Sequence, residues 1–578
     1  MWAGGIPAEK QQTKQTKQRK EKGMSPDLSA DALAGQARTP FLSKERIVAA
    51  PGFNRWLVPP AALAIHLCIG MAYGFSVFWL PLSRAIGIAE PLRCGADVGF
   101  LQELFVTGCD WKVSTLGWMY TLFFVLLGSS AAIWGGWLER AGPRKAGVVS
   151  ALCWCGGMLI SALGIQMHQF WLMLLGSGVI GGIGLGLGYI SPVSTLIKWF
   201  PDKRGMATGM AIMGFGGGAM IGSPLAAELM AKFASPTSVG VAQTFTVMAV
   251  VYFVFMMGGA LAYRVPPTGW TPAGWTAPAS RANVMITPHH VHVKRVWGIP
   301  QFWLVWMVLC MNVSAGIGVI GMASPMLQEV FGGSLIGVSA RFGELGKSQL
   351  AAIAVVAAGF TALLSLFNIG GRFVWASLSD RLGRKMTYMV FFVLGGLLYA
   401  SIPTLAASGQ KLLFVGAVCV IVSMYGGGFA TVPAYLADLF GTQMVGAIHG
   451  RLLTAWATAG ILGPVVVNYM RDYQLGLGLP REQVYNQTMY ILVGMLAIGL
   501  VCNLLVRPVD ARYFMTEAEL AEEKRLAHDR GAAGSATASA RSGGQAGGVV
   551  TWLAWAAVCV PLAWGIYRTA LSVATFFH

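Results

Sequence analysis

Twelve runs of apolar residues, each long enough to cross about 30 Å of hydrocarbon as a helix of roughly 20 residues, occupy this chain before residue 510. They centre near residues 68, 126, 156, 182, 216, 252, 314, 362, 396, 423, 457 and 497. Backbone groups in lipid must be satisfied within their own segment, so each run is read as a helix. Only 11% of the 578 residues are charged, against about 25% in soluble domains, which excludes a soluble fold. The net charge of +17 would point to nucleic acid only if it formed a basic patch on a polar face. Here the cations are scattered between apolar runs, so the expected partner is the bilayer and no nucleic acid. A thirteenth run, 549–577, follows a polar linker, 508–548, and is read as an extra C-terminal membrane helix, with a peripheral segment as the alternative. Residues 1–55 are polar and Lys-rich with no apolar run, which predicts a disordered cytoplasmic tail rather than a signal peptide.

Orientation follows from the cations in the connections. With the N-terminus inside, 29 of the 41 Lys and Arg residues fall in inside segments, 9 in outside loops and 3 within runs. A cytoplasmic N-terminus is therefore expected. An internal repeat sets the architecture. A constant offset of 241 relates Glu139 to Asp380, Gly142 to Gly383, Gly186 to Gly427, Pro192 to Pro433, Gly205 to Gly446 and Gly209 to Gly450. The expected fold is thus all-α and integral to the membrane, with two six-helix bundles, 56–263 and 301–507, joined by a cytoplasmic linker, 264–300. Parallel repeats of this kind hold a substrate between them near the midplane.

Charge inside an apolar run carries the functional expectation. Arg372 lies eight residues before Asp380, about 12 Å along a helix, where a charge costs about 2.5 kcal/mol or more. Its planar fork can take a carboxylate in a bidentate manner. The alternatives are a side chain reaching the interface or held by a buried acid. No acidic residue occurs in a neighbouring run's core, which leaves a substrate anion as the expected partner. His66, 11 residues after Arg55, is the candidate for proton coupling, with a neutral core histidine as the alternative. Glu139, Arg140 and Arg144, repeated as Asp380, Arg381 and Arg384, are expected to form gating ion pairs at inner helix ends. Cys94 and Cys109 share a long outer loop, and an oxidising compartment would let them bridge. The Gly-rich stretch 181–188 sits inside an apolar run without the strand or Lys of a phosphate loop. No metal spacing and no nucleophile with a base occurs, so no cofactor, no metal and no enzyme activity are expected.

The repeated acid-Arg-x-Gly-x-basic loop resembles the signature of the major facilitator superfamily over roughly residues 55 to 507. The segments Tyr189 to Pro201, Asn368 to Asp380 and Asp438 to Gly441 are similar to its oxalate/formate antiporter family. The resemblance implies secondary transport of a small carboxylate by alternating access, as antiport or proton symport, in a multi-pass protein of the inner membrane, functional as a monomer. It also implies that Arg372 is the substrate-binding arginine, and that Tyr73, Tyr189, Tyr425 and Phe429 form an aromatic cage, the last two sharing one helix face. The oxalate transporter of the family is expected to carry a second cation, a Lys in the eleventh helix. Here Trp456 stands at or within one residue of it, and Arg451 is expected to face water nearer the inner end. One buried cation neutralises one carboxylate, so a monocarboxylate is expected over oxalate. An oxalate/formate-type dicarboxylate exchanger and a transporter-like carboxylate sensor are the alternatives.

Overall fold

In the computed structural model the described residues are 41–525 and 548–574, apart from 43, 89, 96–97, 201–203, 268–269, 273–286, 442 and 523–524. The expected tail through residue 40 and most of the linker before the last helix lie outside them, as do the side chains of Glu139 and Arg140. Among the described residues, backbone pairing outside helices is confined to isolated bridges, such as Val48 to Val265 and Val291 to Phe514.

The first bundle holds α1 (Arg55–Leu82), α2 (Val113–Ala141), α3 (Pro143–Gln166), α4 (170–199), α5 (Arg204–Phe233) and α6 (Val241–Ala262). The second holds α7 (Pro300–Gly321), α8 (Lys347–Leu382), α9 (Arg384–Ala407), α10 (Lys411–Phe440), α11 (Ala447–Gly476) and α12 (Asn486–Leu505). Among the described residues, twelve helices, α5 apart and the C-terminal one included, are long and apolar enough to span a membrane; α5 is thirty residues long and Gly-rich. The bundles meet where α2 packs on α11 and α5 on α8. Small residues allow such close crossings. A Cβ on Gly371 would stand 2.0 Å from the Ser423 carbonyl oxygen, so α8 and α10 touch backbone to backbone.

Three helices are irregular near the middle of the molecule. α1 tightens into a 3₁₀ segment from Gly70 to Phe78, α7 breaks at Met322 and resumes as Ala323–Phe331, and α11 is interrupted at Leu453. A mid-helix 3₁₀ segment marks a hinge or a strained turn; here it contains Tyr73, and the interruption at Leu453 lies three residues before Trp456.

The extra helix, α13 (Gly548–Ala574), packs along α1, α5 and α8. Asn54 donates to Thr551 at 3.2 Å at one end, and Arg568 pairs with Glu228 at 2.5 Å at the other. Those 17 residues rise about 26 Å, close to the thickness of the hydrocarbon. Trp555 donates to the Trp56 carbonyl, and Val558 is buried between Leu63 and Leu67. These polar contacts are to the first bundle, and the helix also lies along α8 of the second.

The ends of the bundles away from the repeated loops are built from buried polar groups. Cys94 and Cys109 are bonded, with Cα atoms 5.1 Å apart. The Asp110 carboxylate accepts from the backbone N–H groups of Ile86, Gly87 and Leu92 at 2.7 to 2.8 Å. In the second bundle Glu329 is fully buried. It takes a bidentate pair from Arg471, a bond from Arg481 at 2.7 Å and one from the Tyr485 hydroxyl at 2.6 Å. This corrects the expectation of an interior without acid. Glu329 is consumed by its own cluster, so Arg372 gains no partner from it. Removing one member of a buried ion pair costs about 3–5 kcal/mol. Glu329→Ala should therefore lower the thermal unfolding midpoint of the detergent-purified protein by several degrees; an unchanged midpoint would show that the cluster does not hold the outer end of the second bundle.

Candidate functional site

Arg372 on α8 faces the seam between the bundles and is 1% exposed. Its Nε donates to Asn368 Oδ1 at 3.0 Å, one turn earlier. The terminal nitrogens Nη1 and Nη2 are buried and have no hydrogen-bond partner. The guanidinium lies 5.7 Å from the centroid of the Phe429 ring. From the other bundle, α5 reaches it through Gly216, where a Cβ would stand 3.0 Å from Nε and 3.2 Å from Asn368 Oδ1. Ser365 donates to the Gly216 carbonyl and fixes this crossing. The glycine is what lets the first bundle close over the charge.

Aromatic rings from both bundles complete the enclosure. Tyr73 of α1 and Tyr425 of α10 join hydroxyls at 2.7 Å across the seam. Phe429 lies 4.4 Å from Trp456, and Trp456 lies 5.1 Å from Tyr189, as ring centroids. Two rings that sequence reasoning missed tie these together. Phe215 lies 4.9 Å from Tyr73, 5.4 Å from Tyr189 and 5.8 Å from Trp456, and Phe124 lies 5.7 Å from Trp456 and 5.8 Å from Tyr73. The signal for Phe215 was a single large ring inside the Gly-rich run 214–218. The six rings of Tyr73, Tyr189, Phe215, Tyr425, Phe429 and Trp456 are each at most 2% exposed, so the cage is occluded. Trp79 donates to the Gly321 carbonyl and Trp118 to the Tyr469 hydroxyl, both at 2.8 Å, closing the same seam at the end away from the repeated loops.

His66 sits behind the cage, stacked on Tyr189, with Nε2 3.1 Å from the Tyr189 carbonyl oxygen. A neutral imidazole protonated at Nε2 makes that bond, and an imidazolium makes it too.

The sequence pattern of the Major Facilitator Superfamily matches residues 85–464 and, a second time, 362–578. The chain belongs to the Major Facilitator Superfamily. It is a multi-pass membrane transporter and not an enzyme. Among its relatives are the oxalate:formate antiporter of Oxalobacter formigenes, 24% identical over 71% of this chain and 83% of the antiporter. The apicoplast pyruvate carrier 1 of Toxoplasma gondii is 25% identical over 67% of this chain and 78% of the carrier. The fold is similar to that of a bacterial homologue of the human lysosomal transporter Spinster, at a TM-score of 0.54 and 17% identity, covering 79% of this chain and 98% of that one. It is similar also to the partially occluded, inward-open xylose transporter XylE of Escherichia coli, at a TM-score of 0.53 and 13% identity, covering 78% and 98%.

Within this superfamily fold the repeated loops join α2 to α3 and α8 to α9. Arg384 pairs with Asp380 at 2.5 Å and lies 3.5 Å from Asp438, which ties the end of α8 to α10. Arg381 is exposed. In the first copy, Arg144 donates to the carbonyls of Phe41 and Tyr263 at 3.4 Å. Arg451, expected to face water, is half-buried: it donates to the Val293 carbonyl at 2.5 Å and lies over the Trp297 ring.

A branched side chain at Gly216 would force the guanidinium off Asn368. Gly216→Val should abolish substrate-dependent thermal stabilisation while the unliganded protein still folds and melts cooperatively; full retention of that stabilisation would show that close approach of α5 to Arg372 is dispensable.

Proposed function

We propose that this secondary transporter carries small carboxylate anions by alternating access, with Arg372 as the anchor and a monocarboxylate as the preferred cargo. The observation that carries this reading is the pair of buried, unpartnered guanidinium nitrogens at the seam between the bundles. A charged group near the midplane is costly by about 2.5 kcal/mol or more. A carboxylate would cancel the charge and accept both N–H groups, each such bond contributing about 1.5–3 kcal/mol. The relatives named for oxalate, formate and pyruvate support a carboxylate class.

The count of charges favours one carboxylate over two. Trp456, at or near the position where the oxalate transporter is expected to hold a Lys, is an uncharged, fully buried wall of the cage. A second carboxylate inside would lie uncompensated at low dielectric. The same reasoning favours exchange. An empty carrier that closes over Arg372 buries a lone charge, whereas a loaded one does not, so the return step is easier with cargo. The disulfide of the outer loop supports an oxidising outer compartment, and hence an inner-membrane protein with a cytoplasmic N-terminus.

Proteoliposome uptake of labelled monocarboxylates tests the anchor. Arg372→Ala should weaken apparent affinity about a hundredfold or more, and saturable uptake identical to wild type would overturn the reading. Preloading the vesicles with unlabelled monocarboxylate should accelerate uptake several-fold. Uptake indifferent to internal substrate but driven by an acid exterior, and lost in His66→Gln, would instead assign proton symport through His66. Binding without flux would indicate a sensor.

A further inference from the structure

Two side chains of the cage hold buried nitrogens without a hydrogen-bond partner, and the function proposed above uses only one of them. Arg372 contributes Nη1 and Nη2, and Trp456 contributes its indole Nε1. Both border the same ring: Phe429 lies 5.7 Å from the guanidinium carbon and 4.4 Å from the Trp456 ring. The indole is fully buried, and its other ring neighbours are Phe124, Tyr189 and Phe215. An indole N–H is a donor only and cannot accept. Buried tryptophan ordinarily finds a partner for it, and here the surrounding cage is walled largely by rings.

We infer that the Trp456 N–H is the second point of substrate recognition, donating to a neutral oxygen on the carbon next to the carboxylate that Arg372 holds. This rests on Arg372 as the anchor. A neutral donor beside a single cation distinguishes three kinds of anion. A carbonyl or hydroxyl oxygen at the second carbon satisfies the donor without adding charge. An unsubstituted chain leaves it unpaired, which a buried donor penalises. A second carboxylate would satisfy it but bring a charge that no second cation cancels. The cargo class is therefore the short 2-oxo and 2-hydroxy monocarboxylates. Trp456 acts as a specificity determinant: it replaces a charge criterion with a hydrogen-bond criterion at the same face of the cage.

The test uses the full chain in proteoliposomes and begins with the wild type. Pyruvate and lactate should compete with labelled pyruvate uptake at about tenfold lower concentration than propionate, a difference of about 1.4 kcal/mol within the worth of one hydrogen bond. Equal competition by propionate would overturn the inference. Trp456→Phe keeps a ring in the cage and removes the donor, so the preference for pyruvate over propionate should fall about tenfold. A folded Trp456→Phe protein with the wild-type preference would overturn the inference as well. Arg372→Ala separates the two readings. If it abolishes uptake of pyruvate and propionate alike while Trp456→Phe leaves their ratio unchanged, the anchor stands and the role of Trp456 falls. If Arg372→Ala transports both normally, the anchor falls and the role of Trp456 falls with it.

Discussion

The structure turns on a positive charge placed where hydrocarbon and aromatic rings surround it. Arg372 has one of its three nitrogens satisfied within the protein, by Asn368, and the other two face into the seam. Everything near it accommodates that placement. Gly216 brings α5 within reach, Gly371 lets α8 lie against α10, and Phe429 offers the negative face of its ring. None of these neighbours cancels the charge. A fold that hides a cation between two movable bundles has an occluded state whose free energy depends on whether an anion is present. In the function proposed above, that dependence would couple binding to the change of access.

A second buried arginine shows how the same chain treats charge that is structural. Arg471 is bidentate on Glu329, and its other terminal nitrogen meets Asp472 at 2.8 Å. Arg481 and Tyr485 complete the carboxylate. That cluster is balanced and satisfied within one bundle, so it resists motion inside the bundle and does not respond to substrate. Arg372 lies on the seam, unbalanced. The contrast between a closed network and an open one is a better guide to function than burial alone, since both arginines are at most 3% exposed.

How far the sequence could be read depended on the range of the interaction. The helices, the loop that places Arg384 on Asp380, and the depth of Arg372 follow from local spacing along one helix, and the thirteenth run's length foretold α13. The partners of Glu329 lie 142 to 156 residues away. Moreover, α7 breaks at Met322, so the stretch carrying Glu329 reads as a polar end and not as core. Phe215 and Phe124 escaped because an aromatic in an apolar run carries no sign of whether it meets lipid or the seam. Trp456 was legible as a departure from a cation, yet its unpaired N–H needed the surrounding rings to be placed. Arg451 misled because charge near an inner helix end normally faces water, and here the linker folds back over it through Val293 and Trp297.

The two ends of the seam are closed by different physics. At the end of the seam away from the repeated loops, directional bonds cross between the bundles: Trp79 to Gly321, Trp118 to Tyr469 and, at the cage, Tyr73 to Tyr425. Among the described residues, the ion pairs of the repeated loop between α8 and α9 stay within the second bundle. Parting the first end would break bonds of defined geometry, whereas parting the other would separate close-packed surfaces. The polar contacts of α13 reach Asn54, α1 and α5 of the first bundle, while its apolar flank also packs on α8 of the second. The helix therefore lies across the seam, held by directional bonds on one side and by packing alone on the other.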